Sequence, residues 1–221
     1  MARADNSNSA SAINDRFNRM NQVKKFLRTA LAFAIVISAL PVSAATGALD
    51  KLPLFFEANG SAQFLARGSD FQFSISAAGG QFTLRKSGGE SAEAQMQFIG
   101  ANPAARIGGE NELPGKINYL LGDRPAQWRA GVPIFAKVRV QEIYPGIGLV
   151  YYGNSRRLEY DFTVAPKADP NLIAMRFNGV KSISINARGE LILNLGNGEI
   201  CHRPPVIYQI RAGGRKEISR A

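Results

Sequence analysis

Cysteine, histidine and tryptophan are almost absent from this sequence, which contains one of each. A single cysteine excludes an intrachain disulfide, and together with one histidine it cannot supply the four ligands of a structural zinc site. Charged residues make up 20% of the chain, an ordinary fraction for a globular protein. The composition therefore predicts a domain stabilised by a hydrophobic core alone, with no metal and no cofactor.

The positive charge is not concentrated in one block. The net charge is +10, but the first 44 residues contain six basic and two acidic residues, which leaves +6 for the remainder. In that remainder the basic residues are scattered along the chain. A scattered excess favours solubility or weak attraction to polyanions, whereas nucleic-acid binding needs a basic stripe or a known module. We therefore expect no specific nucleic-acid partner.

An export signal is predicted near the N-terminus. Residues 24–28 (KKFLR) form a segment with three basic residues, and residues 29–40 (TALAFAIVISAL) form an uncharged, largely apolar run. Pro41 follows, and the small residues VSA occupy positions 42–44. The run is too short for the ~20 residues of a membrane-spanning helix. This layout is typical of a secretory signal peptide, with cleavage between Ala44 and Ala45. It predicts a secreted or cell-surface protein without a transmembrane anchor after cleavage. The translation start is either Met1 or Met20.

The chain divides into residues 1–44, an N-terminal extension with the signal peptide, and residues 45–221, a single domain. Beyond Ala44, short apolar or alternating runs recur between Gly, Pro, Asn and Asp residues. Such spacing predicts an all-β, antiparallel, sandwich-like domain of about 10–12 short strands. The runs are 71–76, 81–85, 94–99, 134–140, 149–152, 157–164, 173–177, 182–185, 191–195, 199–202 and 206–210. Helical turns are expected only at residues 125–128 and 169–171, the latter with Asp169 as its N-cap.

The clearest strand pattern lies at residues 157–164. Leu158, Tyr160, Phe162 and Val164 alternate along it, so these four should face the core. Glu159 and Asp161 then share the opposite face, which we interpret as solvated. Paired carboxylates can also bind a hard cation or cleave glycosides, but no calcium-type loop accompanies them.

Two other motifs resemble functional sites. Cys201 and His202 are adjacent on an expected strand, so their side chains should point to opposite faces and cannot form a catalytic dyad. Gly108-Gly109 and Gly196-Asn197-Gly198 are interpreted as turns, because neither is followed by the helix and lysine of a phosphate loop. The sequence therefore predicts no catalytic residues.

The chain resembles a known domain over nearly all of residues 45–221. The similarity is carried by LPLFFEANGSAQFL at 52–65, ELPGKINYLL at 112–121, WRAGVPIFAKVRV at 128–140, YPGIGLVYYG at 144–153, LEYDFTVAPKADP at 158–170 and PPVIYQ at 204–209. These segments resemble the N-terminal domain of bacterial surface proteins that carry seven-bladed β-propeller (SBBP) repeats. Gly148 and Cys201-His202 depart from that pattern. The chain also stops at Ala221, where relatives continue into the repeats, and we interpret it as a truncated member.

The resemblance implies a non-catalytic extracellular module that precedes a β-propeller array. Its implied partners are the downstream repeats or surface polymers. The alternative is a carbohydrate- or polymer-binding module that uses exposed aromatic residues, and a hydrolase fragment is a third hypothesis. On either of the first two hypotheses, the candidate interaction residues are Trp128, Arg129 and Tyr152.

Overall fold

The computed structural model describes residues 31–39, 53–60, 63–85, 90–154, 157–211 and 214–220. The described residues form sixteen strands and two short 3-10 turns, and each strand pairing is antiparallel. The all-β antiparallel class is therefore confirmed, with more strands than the expected number. The strands are β1 (Leu31–Ala39), β2 (Phe56–Ala58), β3 (Phe64–Arg67), β4 (Phe71–Ser76), β5 (Gly79–Arg85), β6 (Ser91–Phe98), β7 (Arg106–Tyr119), β8 (Arg129–Tyr144), β9 (Ile147–Asn154), β10 (Arg157–Val164), β11 (Met175–Asn178), β12 (Ser182–Ile185), β13 (Leu191–Asn194), β14 (Glu199–His202), β15 (Val206–Arg211) and β16 (Gly214–Arg220).

Several predicted elements are found with their predicted bounds. Strands β4, β10, β12 and β14 begin and end at the predicted residues. The two expected helical turns are the 3-10 turns Pro125–Gln127 and Pro170–Leu172. Asp169 caps the second turn, because its Oδ1 accepts a hydrogen bond of 3.1 Å from the backbone N–H of Asn171.

The strands form one strongly curled sheet whose two halves face each other. The order is β11-β6-β5-β4-β3-β2-β8-β9-β10-β1-β14-β13-β12, with β7 beside β8 and β15 beside both β1 and β16. Rings from distant strands meet inside: Phe73 lies 5.8 Å from Tyr151, and Phe98 lies 5.7 Å from Phe162, measured between ring centroids. The sheet therefore encloses its core as a sandwich does.

The core face of β10 was predicted correctly. Leu158, Tyr160, Phe162 and Val164 are all buried, and Tyr160 and Phe162 are 0% exposed. Tyr160 contacts both Tyr151 and Phe162 at ring-centroid distances below 6 Å. The period-two alternation of the sequence thus places its apolar side chains in one aromatic core.

The interpretation of Gly108-Gly109 as a turn was wrong. Both glycines lie inside β7, which pairs with β8 along its whole length. A Cβ atom at Gly109 would lie 2.4 Å from Cγ of Phe135, so the ring of Phe135 covers this glycine across the strand pair. By contrast, Gly196 and Gly198 do form a turn, in which the N–H of Leu195 donates to the carbonyl of Gly198 at 2.8 Å.

Part of the predicted signal peptide is a strand. Leu31–Ala39 forms β1, which lies between β10 on one side and β14 and β15 on the other. The predicted cleavage site at Ala44 and Ala45 lies outside the described residues. Within the described part of the chain, no helix has the length and hydropathy needed to span a membrane.

Candidate interaction surface

The candidate surface lies on the long hairpin of β7 and β8, which we call the arm. These strands have 14 and 16 residues, and residues 120–128 connect them. The connection exposes three large apolar side chains, with Leu120 57%, Leu121 74% and Trp128 40% accessible. The described residues contain five other exposed large apolar side chains, and these are spread over five other segments. We call residues 120–128 the arm tip.

The arm tip is held in shape by its own hydrogen bonds. The indole N–H of Trp128 donates to the carbonyl of Gly122 at 3.2 Å, and its backbone N–H donates to the carbonyl of Pro125 at 3.0 Å. Gly122 has a φ of 75°, a conformation that glycine adopts without strain. Trp128 is therefore fixed at the surface, with its polar atom satisfied and part of its ring exposed.

Arg129 lies at the base of the arm tip and connects it to the sheet. Its guanidinium lies 5.6 Å from the ring centroid of Tyr119, a cation–π distance. It also donates to Oδ1 of Asn59 at 3.1 Å and to the carbonyl of Ala58 at 3.2 Å. Arg129 is thus a structural bridge as well as an exposed charge.

A buried carboxylate anchors the same region. Glu57 is 2% exposed, and its Oε1 accepts a hydrogen bond of 2.7 Å from Nε of Arg67. Its Oε2 accepts a hydrogen bond from the hydroxyl of Tyr119. Burial, followed by this hydrogen bond to Glu57, raises the pKa of Tyr119. The arm tip therefore extends from a fixed base rather than from a loose loop.

Tyr152 does not lie with Trp128 and Arg129. It is half-buried on β9 and lies opposite Lys137 of β8, eight residues along that strand from Arg129. Eight extended residues span roughly 26 Å. The hydroxyl of Tyr152 donates to Oδ1 of Asp161 at 3.0 Å, and burial, then the charge of Asp161, raises the pKa of Tyr152. The structure therefore brings two of the three candidate residues together and separates the third.

The face of β10 that carries Glu159 and Asp161 is not the solvated face that was expected. Glu159 is buried and accepts a hydrogen bond of 2.9 Å from the side chain of Asn154. Asp161 accepts from Tyr152 and also from the hydroxyl of Tyr208. The expectation was wrong because it considered β10 alone, whereas side chains of β9 and β15 cover this face. Among the described residues, no group of His, Cys, Asp and Glu is arranged to hold a metal ion.

Cys201 and His202 are both buried on β14. The ring of His202 contacts the rings of Phe177 and Tyr160, with centroids 5.4 Å and 6.4 Å away, and neither of its nitrogens has a hydrogen-bond partner. Burial lowers the pKa of His202 to about 4 and raises that of Cys201. A histidine without a hydrogen bond to the thiol cannot act as the base of a dyad with it.

The sequence reasoning missed Leu120, Leu121 and the Glu57–Arg67–Tyr119 cluster. The two leucines had a local signal, since they form an apolar pair directly before the polar turn GDRP. The cluster had none, because Glu57 and Tyr119 are 62 positions apart and are brought together only by the pairing of β8 with both β2 and β7.

The fold and this surface define the chain as an all-β domain with a long β7–β8 hairpin. It belongs to the family described as a domain of unknown function, DUF7948, whose model matches residues 49–221. The chain matches no curated protein and no solved structure.

Proposed function

We propose that this protein is an exported, non-catalytic interaction module that contacts its partner through the arm tip. The observation that carries the proposal is the grouping of Leu120, Leu121 and Trp128 on one ordered connection. Exposed apolar patches are typical of protein interaction sites, and tryptophan is enriched among residues that dominate binding. From the resemblance to SBBP proteins, the partner we propose is a β-propeller repeat array.

A non-catalytic role is supported by how the chemically capable side chains are used. Glu159 and Asp161 accept hydrogen bonds from neighbouring strands, and His202 is enclosed by aromatic rings. Catalytic groups are instead found in clefts, where they can reach a substrate.

Substitution at the arm tip provides the direct test. We expect Leu121→Asp to weaken binding to an isolated SBBP repeat array at least about tenfold, because a charge replaces a side chain whose burial contributes about 1.5–3 kcal/mol. Leu172→Asp is the matched control, since Leu172 is also an exposed leucine, 41% accessible, in a short 3-10 turn. Biolayer interferometry with both variants measures the difference, and equal affinities would contradict the proposal.

The alternative of polymer binding is supported by the exposed indole of Trp128 beside the arginine and tyrosine at the base of the arm tip. A sugar ring stacks on an aromatic face and does not require the leucines. Trp128→Ala should then abolish retention on a polysaccharide column while Leu121→Asp preserves it. If the unsubstituted protein is not retained on the column, or if Trp128→Ala is retained as well as it is, the polymer-binding alternative is contradicted.

Export is tested independently. The protein expressed in a secreting bacterial host should be recovered outside the cytoplasm with an N-terminus at Ala45, because residues 42–44 fit signal peptidase. Ala44→Leu places a large residue next to the cleaved bond and should block processing. N-terminal sequencing of the original protein and of the Ala44→Leu variant shows whether each is cleaved before Ala45. An intact N-terminus of the original protein in the cytoplasmic fraction would refute export.

A further inference from the structure

Strand β1 fills a gap that is one strand wide. On one side, Leu31–Ile37 pairs with Val164–Leu158 of β10. On the other side, Leu31–Ala34 pairs with Gln209–Val206 of β15, and Ile37–Ala39 pairs with His202–Ile200 of β14. In the described part of the chain, β1 is the only strand that joins β10 to β14 and β15.

The walls of this gap belong to the family domain, but the strand that fills it does not. The family match begins at residue 49, after β1 and before β10, β14 and β15. The matched region on its own therefore contains two sheet edges that face each other across an unfilled strand position. The adjoining core residues are among the most buried in the protein, including Tyr160, Phe162 and Ile207.

Signal cleavage would empty the gap, because β1 precedes Ala44. The edges of β10 and β15 would then lose their hydrogen-bond partners, and the core between them would open. The described chain after residue 44 offers no substitute. Its last strand, β16, has the polar sequence GRKEISR and pairs with β15, and the apolar strands are already part of the sheet.

We propose that the gap is a strand-acceptor site, which takes an extended apolar segment of a different protein after β1 has been removed. The pattern of β1 defines the segment that fits. The positions opposite Val164, Phe162, Tyr160 and Leu158 carry Leu31, Phe33, Ile35 and Ile37, and the positions between them carry Ala32, Ala34 and Val36. Backbone hydrogen bonds to both edges would supply affinity, and large side chains at alternate positions would supply specificity. This role depends on the export and cleavage proposed above.

The register supplies a specific test, because Ser38 lies directly opposite Cys201, the only cysteine in the chain. The processed protein, purified after secretion, is mixed with a lysine-flanked peptide LAFAIVISA that carries Ser38→Cys as a 2-thiopyridyl disulfide. The thiolate of Cys201 attacks the peptide sulfur, a mixed disulfide forms, and 2-thiopyridone leaves and is measured by its absorbance. The matched control peptide carries Ile37→Cys, which lies opposite His202 on the other face.

We expect the Ser38→Cys peptide to react about 100-fold faster than the control, since a bound strand holds its disulfide beside Cys201 at an effective concentration near millimolar while the peptide is at about 10 µM. The unmodified peptide, added before refolding, should also raise the yield and the Tm of the processed protein. Adding the peptide at this stage keeps the test valid if the processed protein folds poorly alone.

Three results would overturn the strand-acceptor site. Equal rates for both peptides, without a rise in Tm, mean that a cleaved, exported protein accepts no strand, and they leave the proposed export intact. A dimer that excludes the peptide, detected by light scattering, means that a second copy fills the gap. An exported chain that retains residues 31–39 refutes signal cleavage and the acceptor site together, because the gap is then never empty.

Discussion

Replacing Phe162 by alanine is expected to lower the free energy of unfolding by about 3–5 kcal/mol. Phe162 is fully buried, and its ring meets those of Phe98 and Tyr160 edge-to-face at 5.7 Å and 5.9 Å. The substitution removes the transfer free energy of the ring and leaves a cavity where the two halves of the sheet meet. Urea denaturation followed by tyrosine fluorescence measures the change.

Thr163→Ala is the matched control, because Thr163 is the next residue on β10 and is exposed. It should change the free energy of unfolding by less than about 1 kcal/mol. A loss below about 1 kcal/mol for Phe162→Ala as well would show that β10 does not present this face to the core.

Acidification is expected to destabilise the protein through His202, the only histidine. Burial lowers its pKa in the folded state to about 4, below the ordinary value of 6.5. Well above pH 6.5 the imidazole is neutral in both states, and the full stability is present. Between pH 6.5 and 4 the unfolded chain binds the proton more readily, so stability falls, by about 2 kcal/mol at pH 5.

The effect of His202 can be separated from that of the carboxyl groups by comparison with His202→Leu. This variant cannot titrate at residue 202 and also removes two buried nitrogens that lack hydrogen-bond partners. Unfolding free energies of both proteins at pH 7.5 and pH 5 should show a decrease that is larger in the original protein. An identical decrease in both would mean that His202 is protonated equally in the folded and unfolded states.

Local sequence patterns were sufficient to predict those strands that have one buried face and one less buried face. The alternation at 71–76 and 157–164 predicted β4 and β10 with their bounds, because period two follows from strand geometry alone. Strand β7 has no such pattern, since most of its side chains are exposed or only partly buried. Its glycines and polar residues resemble a loop, and only the long pairing with β8 holds it extended.

The candidate surface was predicted only in part, for a similar reason. A lone tryptophan next to an arginine in a turn is visible in the sequence, and the structure places Trp128 and Arg129 together at the arm. Tyr152 was expected to lie on the same interaction surface as Trp128 and Arg129. Its position depends instead on Lys137 and Asp161, which only the pairing of β9 with β8 and β10 identifies.

The sequence by itself determined the all-β class, the main turns and the core face of β10, since each follows from interactions within a few residues. Only the tertiary structure decided that Glu159 is buried, that Glu57 is held by Arg67 and Tyr119, and that Leu31–Ala39 lies between β10 and β15. The reason is physical. A strand's own alternation specifies which side chains share a face, but the neighbours that cover that face come from strands distant in the sequence.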